Sequence, residues 1–376
     1  MNWLTKERKF KLPIRFMGSD IKMRHFSKKQ TTVLGIDITT TVIKLLELSQ
    51  FKKQYRVESY MVVPLPKDAV LDKKLTDVEI IGLAINRAVE RSGTHLKQAA
   101  VAVGGASAIT KLITLPAGLS DDEMVEQIMI EADQYLPFSV DEVNFDFEVQ
   151  GVNEIDPRRV NVLLAASRKE NVEDRVDALS LAGLKAKIVD IESFAVENAF
   201  TLLTHQLPYS VDDKTVIIIE MGATLTTLHV LFNARIIYTR EQSFGGKQLT
   251  EDIQRAYSLS YEEAGIAKKF GGLPDNYEVD ILDPFKRTML QQIQRAIQFF
   301  LASNASRPID CVILAGGCAA IAGVDTMVSQ SLNLPTYVAN PFMGMSLSSK
   351  VNPSNLAKDA PAMLIACGLA LRSFDE

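Results

Sequence analysis

Two short segments of this 376-residue chain combine an acid, hydroxyls and small residues in a pattern suited to phosphate chemistry. In GIDITTTVIKLLEL, Gly35 to Leu48, Asp37 closes an apolar run, and Thr39, Thr40 and Thr41 precede a second apolar run. In IEMGAT, Ile219 to Thr224, Glu220 takes the place of Asp37, and Gly222, Ala223 and Thr224 follow it. A tight turn points successive backbone N–H groups outward, and such nests hold anions. Threonine hydroxyls can add hydrogen bonds that the phosphate charge strengthens. A carboxylate beside the turn repels phosphate unless a cation intervenes. Mg2+ serves, and because it usually keeps several waters, Asp37 and Glu220 could hold it through water. Lys44 has two readings: a phosphate-neutralising cation, or a solvent-facing residue on an alternating strand. In LAGGCAAIAG, Leu314 to Gly323, Gly316 and Gly317 separate a strand from a helix. They would let a flat ring or sugar press on the backbone beside a partially positive helix N-terminus.

Each signal is modest alone, since threonine at a hairpin tip usually marks only a hairpin. The repetition is stronger. The two acids stand 183 residues apart, each followed by a strand, a third strand and a helical region. That pattern reads as two duplicated halves clamping one nucleotide. VLGIDI, TVIKLLEL and QYRVESYMVV are the first strand triplet; TVIIIE, TLTTLHVLF and ARIIYTR are the second. A helix is expected from Asp77 to Arg91 with Gly93 as its stop, and Ser120 to Glu123 reads as a capping box. AAVAVGG, AITKLITLP, NFDFEVQ, VNVLLAAS and KAKIVD are further strands, with a helix over 170–182 between the last two. ESFAVENAFTLL, the block 246–304, 317–332 and PAMLIACGLALR are helical. Small residues in 192–205 and 361–372, among them Ala195, Ala366, Gly368 and Ala370, predict closely packed helices.

Composition bounds the rest. At 47% hydrophobic and 23% charged, the chain suits a soluble globular protein of two to three domains. No run of 18 apolar residues suggests a membrane span. The three cysteines, Cys311, Cys318 and Cys367, contain no CxxC and read as small buried residues in a reducing compartment. Four scattered histidines argue against a histidine metal site. Residues 1–31 form a basic arm, with nine cations against two acids by residue 30, a net of +7. The remainder of a chain of net −5 therefore carries −12, which argues against nucleic-acid binding by the body without help. The arm mixes its cations with Trp3, Leu4, Phe10, Leu12, Ile14, Phe16 and Phe26. A disordered tail, added residues upstream of a start at Met17 or Met23, and a segment lying on an anionic membrane are its readings.

In this order, the phosphate, connecting and adenosine segments resemble the five motifs of the actin-like ATPase superfamily. GIDITTTVIKLLEL is similar to its first phosphate motif and IVDIESFAVENAF to its first connecting helix. IIEMGATLTTLHV resembles the second phosphate motif, VILAGGCAAIAGVD the adenosine motif, and PAMLIACGLALR the second connecting helix. The finer resemblance is to the PilM family of type IV pilus assembly proteins, relatives of FtsA. It is carried by AGLSDDEMVEQIMIEADQYLPFSVDEVNFDFEVQG (117–151), LLAASRKENVEDRVDALSLAGLKAKIVDIESFA (163–195) and the NPF at Asn340. The resemblance implies an α/β actin-like ATPase fold of two duplicated halves, with an inserted subdomain 1C in place of actin's 1B. Subdomain 1A would take 32–99, 187–211 and 359–376, and 1C would take 100–186. Subdomain 2A would take 212–245 and 309–358, and 2B would take 246–308.

It also implies a cytoplasmic adaptor, peripheral to the inner membrane, that binds ATP and Mg2+. Its partner would be the N-terminal cytoplasmic tail of the inner-membrane protein PilN, held in a groove between 1A and 1C. That contact would link the periplasmic alignment complex to the pilus motor ATPases and the platform protein; nucleic acid is not a partner, and homo-oligomerisation stays open. By motif, Asp37, Thr39, Thr40, Thr41 and Lys44 would serve the first phosphate site. Gly222, Ala223 and Thr224 would serve the second. Asp190 matches the acid near the attacking water, and Asp37, Asp190 and Glu220 form the catalytic set. Gly316 and Gly317 would line the nucleoside, with Gly245, Gly246, Lys247 and a Glu263/Lys268 pair flanking the purine. The second phosphate motif usually begins with Asp, and Glu220 departs from that. A displacement of one carbon–carbon bond can cost about 100-fold in rate, so binding with slow or undetectable hydrolysis is expected. A small-molecule kinase of the superfamily would need a further acid over an acceptor hydroxyl, and none claims that role. An FtsA-like filament protein of division is the other alternative.

Overall fold

The computed structural model describes residues 32–105, 108–303 and 307–375. The basic arm lies outside the described residues. The chain divides into two compact units, the first covering 32–53, 58–192 and 369–375 and the second 54–57 and 193–368.

In the first unit, β1 (Leu34–Ile38) pairs antiparallel with β2 (Val42–Phe51), which places Asp37 directly opposite Lys44. On its other side β1 runs parallel to β6 (Gln98–Val103), and β6 parallel to β10 (Lys185–Ile191). With β3 (Gln54–Pro64) beside β2, the sheet order is β10-β6-β1-β2-β3. A small hairpin, β4 (Val70–Leu71) and β5 (Lys74–Leu75), leads to α1 (Val78–Ser92). The Asp77 side chain accepts from the Ile80 N–H at the start of α1, and left-handed Gly93 ends it, as the sequence predicts. Ile81 and Ile85 of α1 pack with Leu34 and Ile36 of β1 and with Ala178 and Leu179 of α4 (Lys169–Leu181) in one core. A Cβ on Gly82 would lie 2.7 Å from the Leu181 Cβ, so the two helices approach to backbone distance.

A separate antiparallel sheet stands between β6 and α4, in the order β7 (Ala108–Pro116), β9 (Arg159–Arg168), β8 (Val143–Val152). Helix α2 (Asp121–Ile130) opens on the expected capping box, Ser120 with Glu123, and the single turn α3 (Ala132–Tyr135) follows. Met124, Ile128 and Ala132 bury against Ile113, Leu115 and Val162, a core distinct from that of the main sheet. The insert is therefore narrower than the 100–186 expected. Strands β6 and β10 are hydrogen-bonded into the main sheet, and α4 packs in its core. The cause is that β6 must extend the sheet beside β1 and α4 must bury its apolar face in the core of that sheet.

The second unit repeats this order. β11 (Thr215–Met221) and β12 (Thr226–Phe232) form the hairpin, and β13 (Arg235–Gln242) is the third strand. Strands β14 (Cys311–Ala315) and β15 (Thr336–Val338) run parallel to β11, giving β13-β12-β11-β14-β15. This matches β3-β2-β1-β6-β10 strand for strand, so the internal repeat is a repeat of topology. Helices α6 (Gly246–Tyr257), α7 (Tyr261–Phe270) and α8 (Asp283–Ser303) form the expected helical block. The helix expected over 317–332 is broken into a 3-10 turn at 317–320 and α9 (Val324–Leu332), because left-handed Gly323 interrupts it. β16 (Ser346–Leu347) runs parallel to Arg56 and Val57 of β3, residues grouped with this unit. Helix α10 (Pro353–Asp359) precedes α11 (Leu364–Leu371), while α5 (Glu192–Leu203) enters the unit from β10. All three cysteines are free and buried, as expected. No helix among the described residues is long and apolar enough to cross a membrane.

The small-residue helices meet as closely as the sequence predicts: a Cβ on Gly368 of α11 would lie 1.8 Å from the Ala195 carbonyl oxygen of α5. Gly368→Ala must push the helices apart and is expected to cost about 3 kcal/mol. Gly265→Ala, on α7 with nothing within 4 Å, should gain about 0.5–1 kcal/mol from helix propensity. Urea unfolding of the two variants checks the contrast.

Candidate functional site

In the second unit three backbones converge on the β11–β12 turn. The Gly222 N–H donates to the Leu225 carbonyl at 2.9 Å and closes the turn. The first residues of α6 then hold it: the Gly246 N–H donates to the Gly222 carbonyl at 3.0 Å and the Lys247 N–H to the Ala223 carbonyl at 2.8 Å. A Cβ on Gly245 would lie 2.4 Å from the Ala223 carbonyl oxygen, so only glycine permits this approach. On the far side, Gly316 follows β14 with φ +83°, and a Cβ there would lie 2.4 Å from the Met221 carbonyl oxygen. The structure thus brings Gly222, Ala223, Gly245, Gly246, Lys247, Gly316 and Gly317 into one cradle at the carboxyl ends of β11 and β14. That is where open α/β sheets bind ligands. Glu220, opposite Thr227 and Ala315 in the ladders, is the last residue but one of β11, beside the cradle.

Lys268 reaches this cradle from α7. Its ammonium donates to the Gly246 carbonyl at 3.0 Å and to the Thr250 Oγ1 at 2.5 Å. Among the described residues no carboxylate pairs with it. Burial holds it below its usual pKa, with the Cys318 thiol opposing. Burial also raises Cys318, to about 11. The expected Glu263/Lys268 pair does not form. Glu263 instead completes a capping box, accepting from the Ser260 N–H at 2.8 Å. Five residues apart on a helix, the two side chains point to different faces.

The first unit builds a parallel arrangement. Asp37 and Lys44 are both buried, with the Lys44 Nζ 2.9 Å from the Asp37 Oδ2. Lys44 is not solvent-facing: Ile43, Lys44, Leu45 and Leu46 are successively buried, so both faces of β2 are covered and alternation fails as a guide. The Thr39 hydroxyl is spent inside the turn. It donates to the Val42 carbonyl at 2.8 Å and accepts from the Val42 N–H at 3.1 Å. Thr40 and Thr41 flank it, half-buried.

Asp190 does not stand open to a water. It is buried against Arg372, with Nε to Oδ2 at 2.6 Å, while Oδ1 accepts from the Ile191 N–H at 2.8 Å. Burial alone would lower the Arg372 pKa, but Asp190 and Asp375 more than offset it and hold the guanidinium above its ordinary value. This pair ties β10 to the C-terminal segment, where Ser373 also binds the Val33 backbone. The acid that reaches the glycine turn is Glu192, two residues on. Its carboxylate lies where a Gly104 Cβ would be, 2.2 Å from that position, and it pairs with Lys73. Beneath them Arg175, fully buried, donates to the carbonyls of Ala102, Asn171 and Lys73 at 2.7–2.9 Å. Burial lowers its pKa, with Glu192, Asp174 and Asp37 opposing. Glu192, Lys73 and Arg175 were not singled out by sequence. The only signal was the Gly104-Gly105 pair after β6, which mirrors Gly316-Gly317 after β14.

The profile of the family described as type IV pilus assembly protein PilM matches residues 35–374. This chain belongs to that family. Among solved structures it is similar to a PilM-PilN type IV pilus biogenesis complex, with TM-score 0.75 and 24% identity over 92% of this chain and 99% of that one. It also resembles the ethanolamine utilization protein EutJ from Carboxydothermus hydrogenoformans, with TM-score 0.53 and 17% identity over 90% and 89% of the two chains. The PilM-family fold is the expected actin-like one, two duplicated halves with an insert in the first.

Lys268 supplies a pH test. Between its lowered folded pKa and its usual 10.5, the folded chain binds fewer protons than the unfolded chain, so stability should rise with pH in that window. Lys268→Met should remove this slope and stabilise the ligand-free protein at neutral pH. Thermal melts from pH 7 to 10 check both.

Proposed function

We propose that this chain is an ATP-binding adaptor of the type IV pilus assembly machinery, placed at the cytoplasmic face of the inner membrane. The match to the PilM family over residues 35–374 carries the reading. The partner is the N-terminal cytoplasmic tail of PilN, the protein named in the related complex. Pilus motor ATPases and the platform protein are the further partners through which it would act.

The residues suit a nucleoside triphosphate. Lys44, held by Asp37, gives the first hairpin a fixed cation. The second hairpin offers a backbone cradle that any Cβ would fill at Gly245 and Gly316. Lys268 is a buried cation with no carboxylate partner among the described residues, suited to a ligand anion or hydroxyl. Bound Mg2+ would supply charge neutralisation between the phosphates and Asp37 and Glu220, reached through water. No cluster of three or more His, Cys, Asp or Glu side chains that could hold a metal occurs among the described residues, so the phosphates would share in holding it. Thr40, Thr41, Thr224 and the turn N–H groups would bind phosphate oxygens, and Gly316 and Gly317 the nucleoside. Glu192 takes over the role expected of Asp190, because both Asp190 oxygens are engaged. Glu220 in place of Asp favours retention of ATP over its turnover.

The PilN tail would bind on the first unit. β7 is an edge strand with Thr110, Lys111 and Leu112 exposed, open to an added strand of extended peptide.

Two tests follow. Asp190→Asn removes the buried partner of Arg372 and leaves only the part-exposed Asp375, and should cost about 3–5 kcal/mol of stability. Glu192→Gln, at a part-exposed pair, should cost no more than about 1 kcal/mol while lowering residual ATP turnover. Denaturant unfolding beside a phosphate-release assay separates the two. Isothermal titration with a PilN tail peptide should give micromolar or tighter binding and a raised melting temperature. Absence of heat and of any thermal shift would remove the adaptor reading.

A further inference from the structure

Glu192, the acid proposed for ATP turnover, already has a partner in the first unit. β10 lies beside β6 with Asp190 opposite Ala102 and Ile191 opposite Val103, so Glu192 emerges at the carboxyl end of the sheet, level with Gly104. Its carboxylate rests where a Cβ on Gly104 would stand, and the Lys73 ammonium pairs there with Oε2. The lysine and glutamate side chains are only 17% and 15% exposed, so salt and water screen the pair far less than one on the surface.

Lys73 is set in place from behind. With Asp72 it forms the two-residue turn between β4 and β5, flanked by the paired residues Leu71 and Lys74. Fully buried Arg175 donates to the Lys73 carbonyl at 2.9 Å and to the Ala102 carbonyl at 2.7 Å. One guanidinium thus fastens the turn that carries the lysine to the strand that leads into Gly104. Lys74, the next residue, points elsewhere and makes a surface pair with Glu170 of α4.

A general base must present an oxygen to the water it deprotonates, within hydrogen-bond reach. Glu192 presents Oε2 to an ammonium instead, and Lys73 competes with any water for that oxygen. We propose that Lys73 is a positioning residue that restrains Glu192: its ammonium holds the carboxylate off the attacking water and keeps ATP turnover low. This rests on the reading of Glu192 as the acid of ATP turnover.

Two measurements on the full chain test it. The first needs no nucleotide. Limited acetylation by an N-hydroxysuccinimide ester, read by mass spectrometry, should modify Lys73 severalfold more slowly than Lys74, whose side chain is 54% exposed. Glu192→Gln should speed modification of Lys73 and leave Lys74 as it was. Equal rates in the unaltered chain, or no rise in the variant, overturn the proposal.

The second is phosphate release from MgATP. Lys73 has φ +64°, so Lys73→Gly removes the ammonium while suiting the turn. It should raise turnover about tenfold or more, a part of the roughly 100- to 10,000-fold that a positioned general base supplies. Lys73→Met should act in the same direction, and Lys73→Arg should keep turnover low. Adding Glu192→Gln to Lys73→Gly should abolish the gain. Lys74→Ala, which removes only a surface pair, should change nothing. Melting curves recorded alongside show that each variant is folded. Turnover unchanged or lowered in Lys73→Gly overturns the proposal, the lowered rate marking Lys73 as a phosphate ligand. So does a gain that survives Glu192→Gln or that Lys74→Ala reproduces. Titration with MgATP separates the restraint from the reading beneath it. No binding by the unaltered chain removes both, whereas binding without the gain removes the restraint alone.

Discussion

The approach of backbone to backbone at the carboxyl ends of the central strands is the constraint on which the rest of the structure depends. In the second unit the β11–β12 turn is gripped by the start of α6 and by the glycine turn after β14, at distances where a single methyl group cannot fit. Residue choice at Gly245 and Gly316 is therefore fixed by space. Gly316 is fixed by conformation too, since its φ lies in the left-handed region. The N–H groups of Gly222, Gly246, Lys247 and Gly316 all donate to carbonyls, so the cradle is held together by its own backbone.

Charge is the second theme. Burying an ion is expensive unless it is paired or hydrogen-bonded. Asp37 with Lys44, Asp190 with Arg372, and Glu197 with Arg235 each meet that condition. Arg175 meets it with three carbonyls and no paired acid, and so stitches α4, β6 and the β4–β5 turn together. Lys268 meets it only in part, through one carbonyl and one hydroxyl. The structure is thus fully compensated where charge serves the fold and under-compensated where the cradle opens. A buried cation held below its usual pKa beside a glycine cradle is the kind of group that a functional site perturbs.

Much of this was legible in the sequence because local rules and global topology agree. The caps at Asp77 and Ser120, the two strand triplets and the small residues at Ala195 and Gly368 all rest on short-range chemistry. The duplication was legible because an acid recurs at the same point of each triplet. The failures have physical causes. Lys44 had a solvent-facing reading beside its phosphate-site one because alternation assumes one wet face, and β2 has none over Ile43 to Leu46. Asp190 looked catalytic because its partner, Arg372, lies 182 residues away. Glu192 was passed over because nothing local tells which of two acids, at 190 and 192, points to the glycine turn. The insert was drawn too wide because β6 and α4 read as a strand and a helix in sequence whichever core they join.

The proposed binding of MgATP depends on the acid-tipped hairpin of the first unit and on the glycine cradle of the second, each by itself. Equilibrium titration of MgATP into nucleotide-free protein tests this, with Asp37→Ala altering the first unit and Gly245→Val the second. Saturable binding is expected in the unaltered protein and no measurable binding in either variant. Undiminished binding in one of the two, with that variant shown to be folded, would contradict it.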